Sequence, residues 1–546
     1  MNIQKLVPAF GRLRLFEAAL RFFPLGLALL IAAAPVTAVA ESGDARSERS
    51  NDHGSKILLG QNWQIQSSCE VKAGGQEIST AAFHANDWHK GSAPTTVVAA
   101  LVADGTYPDP YFGMNLKSLP GMDYSSKAMF ANQPMPADSP FRCSWWFRTE
   151  FATPGQAAKR KKWLHFDGIN YRANIWLNGE KIADAKDVAG MMRVFQFDVS
   201  KHLADGKLNA LAVEVSAPDK GDLAMTWVDW NPTPADKDMG LWKDVYLTMS
   251  GDVSLGHPFI TSKLGDDYRT AALTITVDVH NAAASPRKCV VRARIEGILV
   301  TQKVELAASE SKTAVFTPEQ YPELKINHPR LWWPYQMGSP EMYTARVQVG
   351  DDGDTFDSVD VPFGIREVTS ELTVTGHRLY KINGREVLIR GAAWAPDMLL
   401  RWSNERGAAA IDYVRGMNLN AIRLEGRMER DEFFDMADRL GVLIMPGWTC
   451  CDFWEQWAHW TPDTEKIAAA SLTDQLTRLR NHPSVFVWLY GSDGPPPANI
   501  ETLYLQVIKD TKWPNPSLSS ASAERTKVTG ASGVKMSGPY DYVPPN

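Results

Sequence analysis

The chain has 546 residues, 44% of them hydrophobic and 10% aromatic, too long for one core and apolar enough to fold into about three or four domains. A formal net charge of -6 offers no basic stripe for a phosphate backbone to follow, which argues against nucleic acid as the natural partner. Nineteen tryptophans are enough to supply indole platforms for sugar rings, although sandwich cores and domain interfaces account for most indoles in a chain of this kind.

In chain order, Lys5, Arg12, Arg14 and Arg21 precede an apolar run from Pro24 to Ala34, and Ala38-Val39-Ala40 before Glu41 has the small-x-small form of a cleavage site. The run is shorter than the roughly 20 apolar residues of a membrane span, so residues 1–40 are expected to be a signal peptide rather than an inner-membrane anchor. The mature protein is then exported, periplasmic or secreted, with no stable membrane span after cleavage. Its five cysteines show no CxxC or zinc spacing, and an odd count leaves at least one unpaired within the chain. A Cys69–Cys143 bridge is one of several pairings left open.

Residues 41–250 read as strands. In "RANIWLNGEKI", Ala173, Ile175 and Leu177 share one face, Asn174 and Trp176 the other, and Asn178-Gly179 supplies the positive-φ turn of a tight hairpin. A β-sandwich follows. Residues 251–367 repeat the style, with "LTITVDV" alternating Leu273, Ile275, Val277 and Val279 against Thr274, Thr276 and Asp278, and predict a smaller immunoglobulin-like sandwich. The acidic run from Asp351 to Asp357 is not an EF-hand, because its twelfth position is Pro362 where a bidentate Glu is needed. A hairpin turn suffices. His84 and His89 lack a helical metal-ligand spacing and read as surface or packing residues.

From residue 368 the period changes. The strand-like runs 386–391, 421–426, 442–448 and 485–491 alternate with helical stretches. In "RDEFFDMADRLG", Phe433, Phe434, Met436, Ala437 and Leu440 form a stripe that Gly441 ends. This βαβα order predicts a parallel sheet of four or five units, more naturally part of a (β/α)8 barrel than of a doubly wound sheet, since no glycine-rich phosphate loop follows a strand. The fold class is therefore multidomain β and α/β: jelly-roll sandwich, immunoglobulin-like sandwich, then an incomplete TIM barrel.

Barrel chemistry collects at the C-terminal ends of strands. Glu425 closes the second run, Trp394 and Asp397 follow the first, Trp448 and Asp452 the third, and Ser492-Asp493 the fourth. Carboxylates and indoles at one mouth suit glycoside hydrolysis, which needs an acid on the leaving oxygen and a second carboxylate. Each also has a plainer reading. Asp493 before Gly494 and three prolines can simply cap or turn, Glu425 can pair with Arg423 or Arg427, and Trp394 and Trp448 can be packing. Adjacent Cys450 and Cys451 bridge only through a strained ring, so a packed or structural role is favoured for them.

"RLEG" at 423–426, "DEFFDMADRLGVLIMPGWTCCD" at 431–452, "GSD" at 491–493 and "SGPYDYVPP" at 537–545 resemble the barrel of the exo-β-D-glucosaminidases, a subgroup of glycoside hydrolase family 2. "WVDWNPTP" at 227–234 and "LWWPYQMGSPEMY" at 331–343 resemble that family's two sandwich domains. The resemblance implies retaining hydrolysis of terminal β-D-glucosamine from chitosan-type oligosaccharides, with no metal and no other cofactor. It implies Asp493 as general acid/base, with Ser492-Asp493 in place of the Asn-Glu pair of most relatives. Glu425 stands where the mannosidases carry an indole and could meet a C2 ammonium, Asp229 resembles an acid reaching the sugar from the first sandwich, and Tyr540 lies in a rim motif. Trp394, Asp397 and Trp448 complete the expected substrate contacts.

The family's nucleophile is a Glu on a later barrel strand, and Asn546 comes before that position. The sequence as written is thus expected to leave the sheet open and to hydrolyse little, with Glu425 the rival second carboxylate. A β-mannosidase of the same family and a non-catalytic carbohydrate-binding protein are the alternatives. The oligomeric state is not legible.

Overall fold

The computed structural model describes residues 56–123, 134–154, 160–225, 232–351, 353–448 and 450–534. The leader-like residues 1–40, Asp229 and Tyr540 lie outside them. No helix among the described residues is long and apolar enough to cross a membrane.

Alternating burial builds the first region. In the strand Arg172–Leu177 the residues Ala173, Ile175 and Leu177 are buried and the intervening ones half-exposed, and Asn178 and Gly179, both at positive φ, turn the chain into Glu180–Ala183. These two strands end a six-stranded antiparallel sheet that continues through Leu208–Ser216, Trp145–Ala152, Trp63–Ser67 and His89–Gly91. A four-stranded sheet, Ile57–Leu58, Val245–Ser250, Lys161–Phe166 and Phe195–Asp198, shares its core through Leu164, Phe166 and Leu247 against Ile65, Phe147 and Val213. Cys69 and Cys143 form a disulfide, one of the pairings the sequence left open. His89 meets Asp104 at 2.8 Å through Nδ1, a surface pairing of the kind expected.

The second sandwich pairs Val253–Leu264, Thr270–Asn281 and Ser311–Phe316 against Ile298–Leu306, Arg287–Ile295, Tyr343–Gly350 and Thr355–Phe363. Leu273, Ile275, Val277 and Val279 are buried in its core, as the alternation predicts. The acidic run is a hairpin turn, in which the Asp351 carboxylate accepts the Gly353 and Asp354 amides at 2.9 Å.

The third region differs from the sequence reading at its start. The run 386–391 is not its first parallel strand: Arg385–Val387 belongs to a small antiparallel sheet with Val368–Leu372 and Arg378–Ile382, and the parallel sheet begins with Gly391–Trp394. The apolar run misled because Val387 turns inward to the antiparallel sheet while Leu388 is 72% exposed. Five parallel strands then pair in chain order: Gly391–Trp394, Ala421–Glu425, Leu443–Gly447, Trp488–Leu489 and Ser517–Leu518. An order without reversal is the winding of a barrel, not of a doubly wound sheet. Among the described residues the first and fifth strands do not pair with each other.

The helices Asn404–Gly416, Asp431–Leu440, Pro462–Leu479 and Ala498–Asp510 alternate with these strands. In the second helix Phe433, Phe434 and Ala437 are fully buried, Met436 and Leu440 pack partly, and Gly441 adopts φ 69° as the left-handed stop. The third helix starts at a capping box on Thr461 and Thr464. It also binds the first sandwich: Gln475 donates to the Met192 carbonyl at 2.8 Å, and Asp474 accepts Arg193 Nε at 2.6 Å and the Val194 amide at 2.9 Å. Tyr171, Met191, Met225 and Trp242 of that sandwich share one buried cluster with Trp448, Trp454 and Leu472.

Candidate functional site

Residues two apart on a strand project to the same face. Arg423 and Glu425 therefore emerge together at the C-terminal end of the second parallel strand, and Asp493 comes from the loop after the fourth. One Arg423 guanidinium nitrogen lies 2.8 Å from Asp493 Oδ1, 3.0 Å from Ser492 Oγ and 3.6 Å from Glu425 Oε1. The structure thus brings Glu425, Ser492 and Asp493 to one cation. Glu425 is buried and Ser492 fully so, while the Asp493 side chain remains 29% exposed and is the carboxylate open to solvent. Sequence reasoning took Arg423 only as a partner for Glu425; its i, i+2 relation to that residue was the available signal for a shared site.

The neighbouring backbone is tightly fitted. Gly426 has φ 73°, and a Cβ there would lie 2.2 Å from the Met225 methyl, so any side chain would strain the backbone and push that methyl aside. Arg427 then turns away from the mouth: Nε donates to the Met225 carbonyl at 3.1 Å and a terminal nitrogen pairs with Asp238 at 3.2 Å. Both groups are buried. Arg427 therefore holds the chain of the first sandwich on either side of residues 226–231, the segment that carries Asp229. Sequence reasoning missed this clasp because its partners lie far apart in the chain.

The other expected contacts are placed differently. Trp394 ends the first parallel strand, packs on Phe433 with ring centroids 5.0 Å apart, and donates Nε1 to Glu429 at 2.8 Å. Asp397 is turned into its own loop, accepting from the Leu399 amide at 3.0 Å and pairing with Arg401 at 3.1 Å and Arg406 at 3.2 Å. Burial raises its carboxyl, and Arg401 with the loop amides overcomes that and holds it below the usual range. Trp448 is 1% exposed, enclosed by Trp454 at 5.4 Å and Trp488 at 5.7 Å, and is packing in this structure rather than a sugar platform. Asp452 is buried at the start of the turn Asp452–Glu455. Cys450 lies in the loop after the third parallel strand: contact with Cys451 pulls its thiol down, but burial and the charges of Glu455, Glu425 and Asp493 outweigh that and leave it raised.

The two β-sandwiches that precede this rim in the chain each match a known family. The glycosyl hydrolase 2 galactose-binding domain-like family matches residues 63–225, and the glycosyl hydrolases family 2 matches residues 253–366. The chain belongs to glycoside hydrolase family 2.

Among its relatives, the exo-β-D-glucosaminidase of Streptomyces avermitilis is 36% identical over 493 residues, covering 89% of this chain and 52% of that protein. The crystal structure of Amycolatopsis orientalis exo-chitosanase CsxA matches with a TM-score of 0.81 at 34% identity, covering 90% of this chain and 55% of that one. The mannosylglycoprotein endo-β-mannosidase of Lilium longiflorum is 28% identical over 505 residues, covering 83% of this chain and 50% of that protein. The chain spans about half the length of the curated relatives it matches.

Proposed function

We propose that this chain carries the acid/base side of a retaining exo-glycosidase site that removes terminal β-D-glucosamine from chitosan-type oligosaccharides, in a protein exported from the cytoplasm. The observation that carries the reading is the shared placement of Asp493 and Glu425 about Arg423, supported by the identity to exo-β-D-glucosaminidases. Asp493, the more exposed carboxyl, donates its proton to the glycosidic oxygen as the bond breaks and takes one back from water in the second step. Arg423 fixes the orientation of that carboxylate. Glu425, buried behind it, offers an anion to a C2 ammonium, a contact that a neutral 2-hydroxyl cannot replace in kind.

A retaining mechanism also needs a nucleophilic carboxylate about 5 Å from the acid. Glu425 is assigned to recognition instead, and glucosamine oligomers are expected to bind through it. Calorimetric titration with a chitosan oligomer, alongside assay on a chromogenic β-glucosaminide, tests this. Saturable binding weakened in Glu425→Gln is the expected result. Robust turnover abolished by both Asp493→Asn and Glu425→Gln makes Glu425 the second catalytic carboxylate, and preference for a β-mannoside removes it from amine recognition.

A further inference from the structure

We propose that Cys450, Cys451 and Glu455, in the loop after the third parallel strand, form a binding site for one thiophilic divalent cation of the Zn²⁺ class. The two sulfurs and a Glu455 carboxylate oxygen all lie within 4.8 Å of one another. Tetrahedral zinc, with thiolate at about 2.3 Å and carboxylate at about 2.0–2.2 Å, sets its donors about 3.3–3.8 Å apart. The cluster therefore closes on an ion by drawing its donors together by at most about 1.5 Å, within the reach of side-chain torsions. Its parts are already held in place: Cys450 is 2% exposed, Cys451 takes φ 62°, and the Cys451 amide donates to Glu455 Oε2 at 2.9 Å, which anchors the carboxylate facing the thiols.

The alternative use of two adjacent thiols is a disulfide, and the backbone opposes it. Neighbouring Cα atoms across a trans peptide are about 3.8 Å apart, below the roughly 4.4–6.8 Å of ordinary bridges. Cys69 and Cys143, 6.1 Å apart at Cα, are bridged, whereas Cys450 and Cys451 remain thiols. Two thiolates and one carboxylate are a borderline-soft donor set, suited to zinc or cadmium rather than magnesium or calcium, and three protein ligands leave a fourth position open. Binding replaces two S–H bonds by two metal–sulfur bonds and releases two protons to solvent. The two protons released balance the two charges of the ion, so the net charge of the site is the same loaded and empty.

Cadmium titration of the purified chain, followed by the ultraviolet sulfur-to-cadmium charge-transfer band, tests the site without any activity measurement. A band saturating at one equivalent, bleached by added Zn²⁺, is expected. It is lost in Cys450→Ser/Cys451→Ser and in the milder Cys451→Ser, and retained in Cys289→Ser, whose thiol is buried in the second sandwich. Glu455→Gln keeps a band but weakens cadmium binding by about tenfold or more. Absence of the band in the folded parent chain, or its persistence in the double variant, overturns the proposal. Unchanged affinity in Glu455→Gln removes the carboxylate from the site.

Discussion

The two ends of the parallel sheet use similar residues for opposite purposes. At the N-terminal end, Arg366 donates to the Pro483 carbonyl at 2.6 Å, the Val485 carbonyl at 2.8 Å and Asn515 Oδ1 at 2.8 Å. Beside it, Asp438 accepts the Ser484 amide at 2.9 Å and His482 Nδ1 at 2.7 Å. Every one of these contacts lies within the chain and ties the second sandwich or a helix to the sheet. At the C-terminal end, Arg423 gathers Glu425, Ser492 and Asp493, and one of those carboxylates stays open to water. The contrast shows how a guanidinium among backbone carbonyls acts as a fastening, whereas one among carboxylates at a strand terminus keeps charge available for a ligand.

Substitutions at the two ends should separate folding from recognition. The largest effect is expected for Trp448→Ala, which empties an indole-lined site and costs about 3–5 kcal/mol in chemical denaturation; a fully stable variant that has lost sugar affinity would instead make Trp448 a binding platform. Arg366→Met strands buried acceptors at the N-terminal end and is expected to cost on the order of 3 kcal/mol, with oligosaccharide affinity per folded molecule unchanged. Glu425→Gln reverses that pattern, lowering glucosamine-oligomer affinity about ten- to a hundredfold, the worth of one charge-assisted hydrogen bond, with the thermal midpoint nearly unmoved. If Arg366→Met weakens binding as much as Glu425→Gln does, the division between the two ends fails.

The smallest effect is a slope in pH. Asp236 is fully buried in the first sandwich; burial raises its carboxyl to about 6, with the Val98 and Asp238 amides pulling the other way. The folded chain keeps this proton between about pH 4 and 6 while the unfolded chain has lost it, so its contribution to stability falls as pH rises through that window. Asp236→Asn is expected to flatten the stability profile there by at most about 1.4 kcal/mol per pH unit. An unchanged profile would place the titration elsewhere.

Much of the fold was legible because burial on one face writes a period of two into a strand and a 3.6-residue period into a helix. Ala173-Asn174-Ile175 and the Phe433–Leu440 stripe are examples. The start of the parallel sheet was not: Gly391-Ala392-Ala393-Trp394 forms an exposed edge with no apolar alternation, while the more hydrophobic run before it is divided between an antiparallel strand and an exposed leucine. At the site, Glu425, Ser492 and Asp493 were legible from their positions after apolar strands, and the structure gathers them. The clasp at Arg427, which joins residues about 190 to 200 positions apart, depends on what lies across space, which spacing along a chain does not record. The burial of Trp448 and the inward turn of Asp397 were likewise invisible, since an indole or a carboxylate after a strand reads the same whether it faces the mouth or the interior.

The buried cluster that runs from Tyr171 and Trp242 into Trp448 and Leu472 also bears on how the chain can be cut. Its recognisable segments are modules in sequence only. An expression fragment beginning at residue 368 would present that torn indole and methionine surface to water and would be recovered as inclusion bodies, so chimeras that exchange specificity between relatives should carry the leading sandwich and the parallel sheet as one cassette.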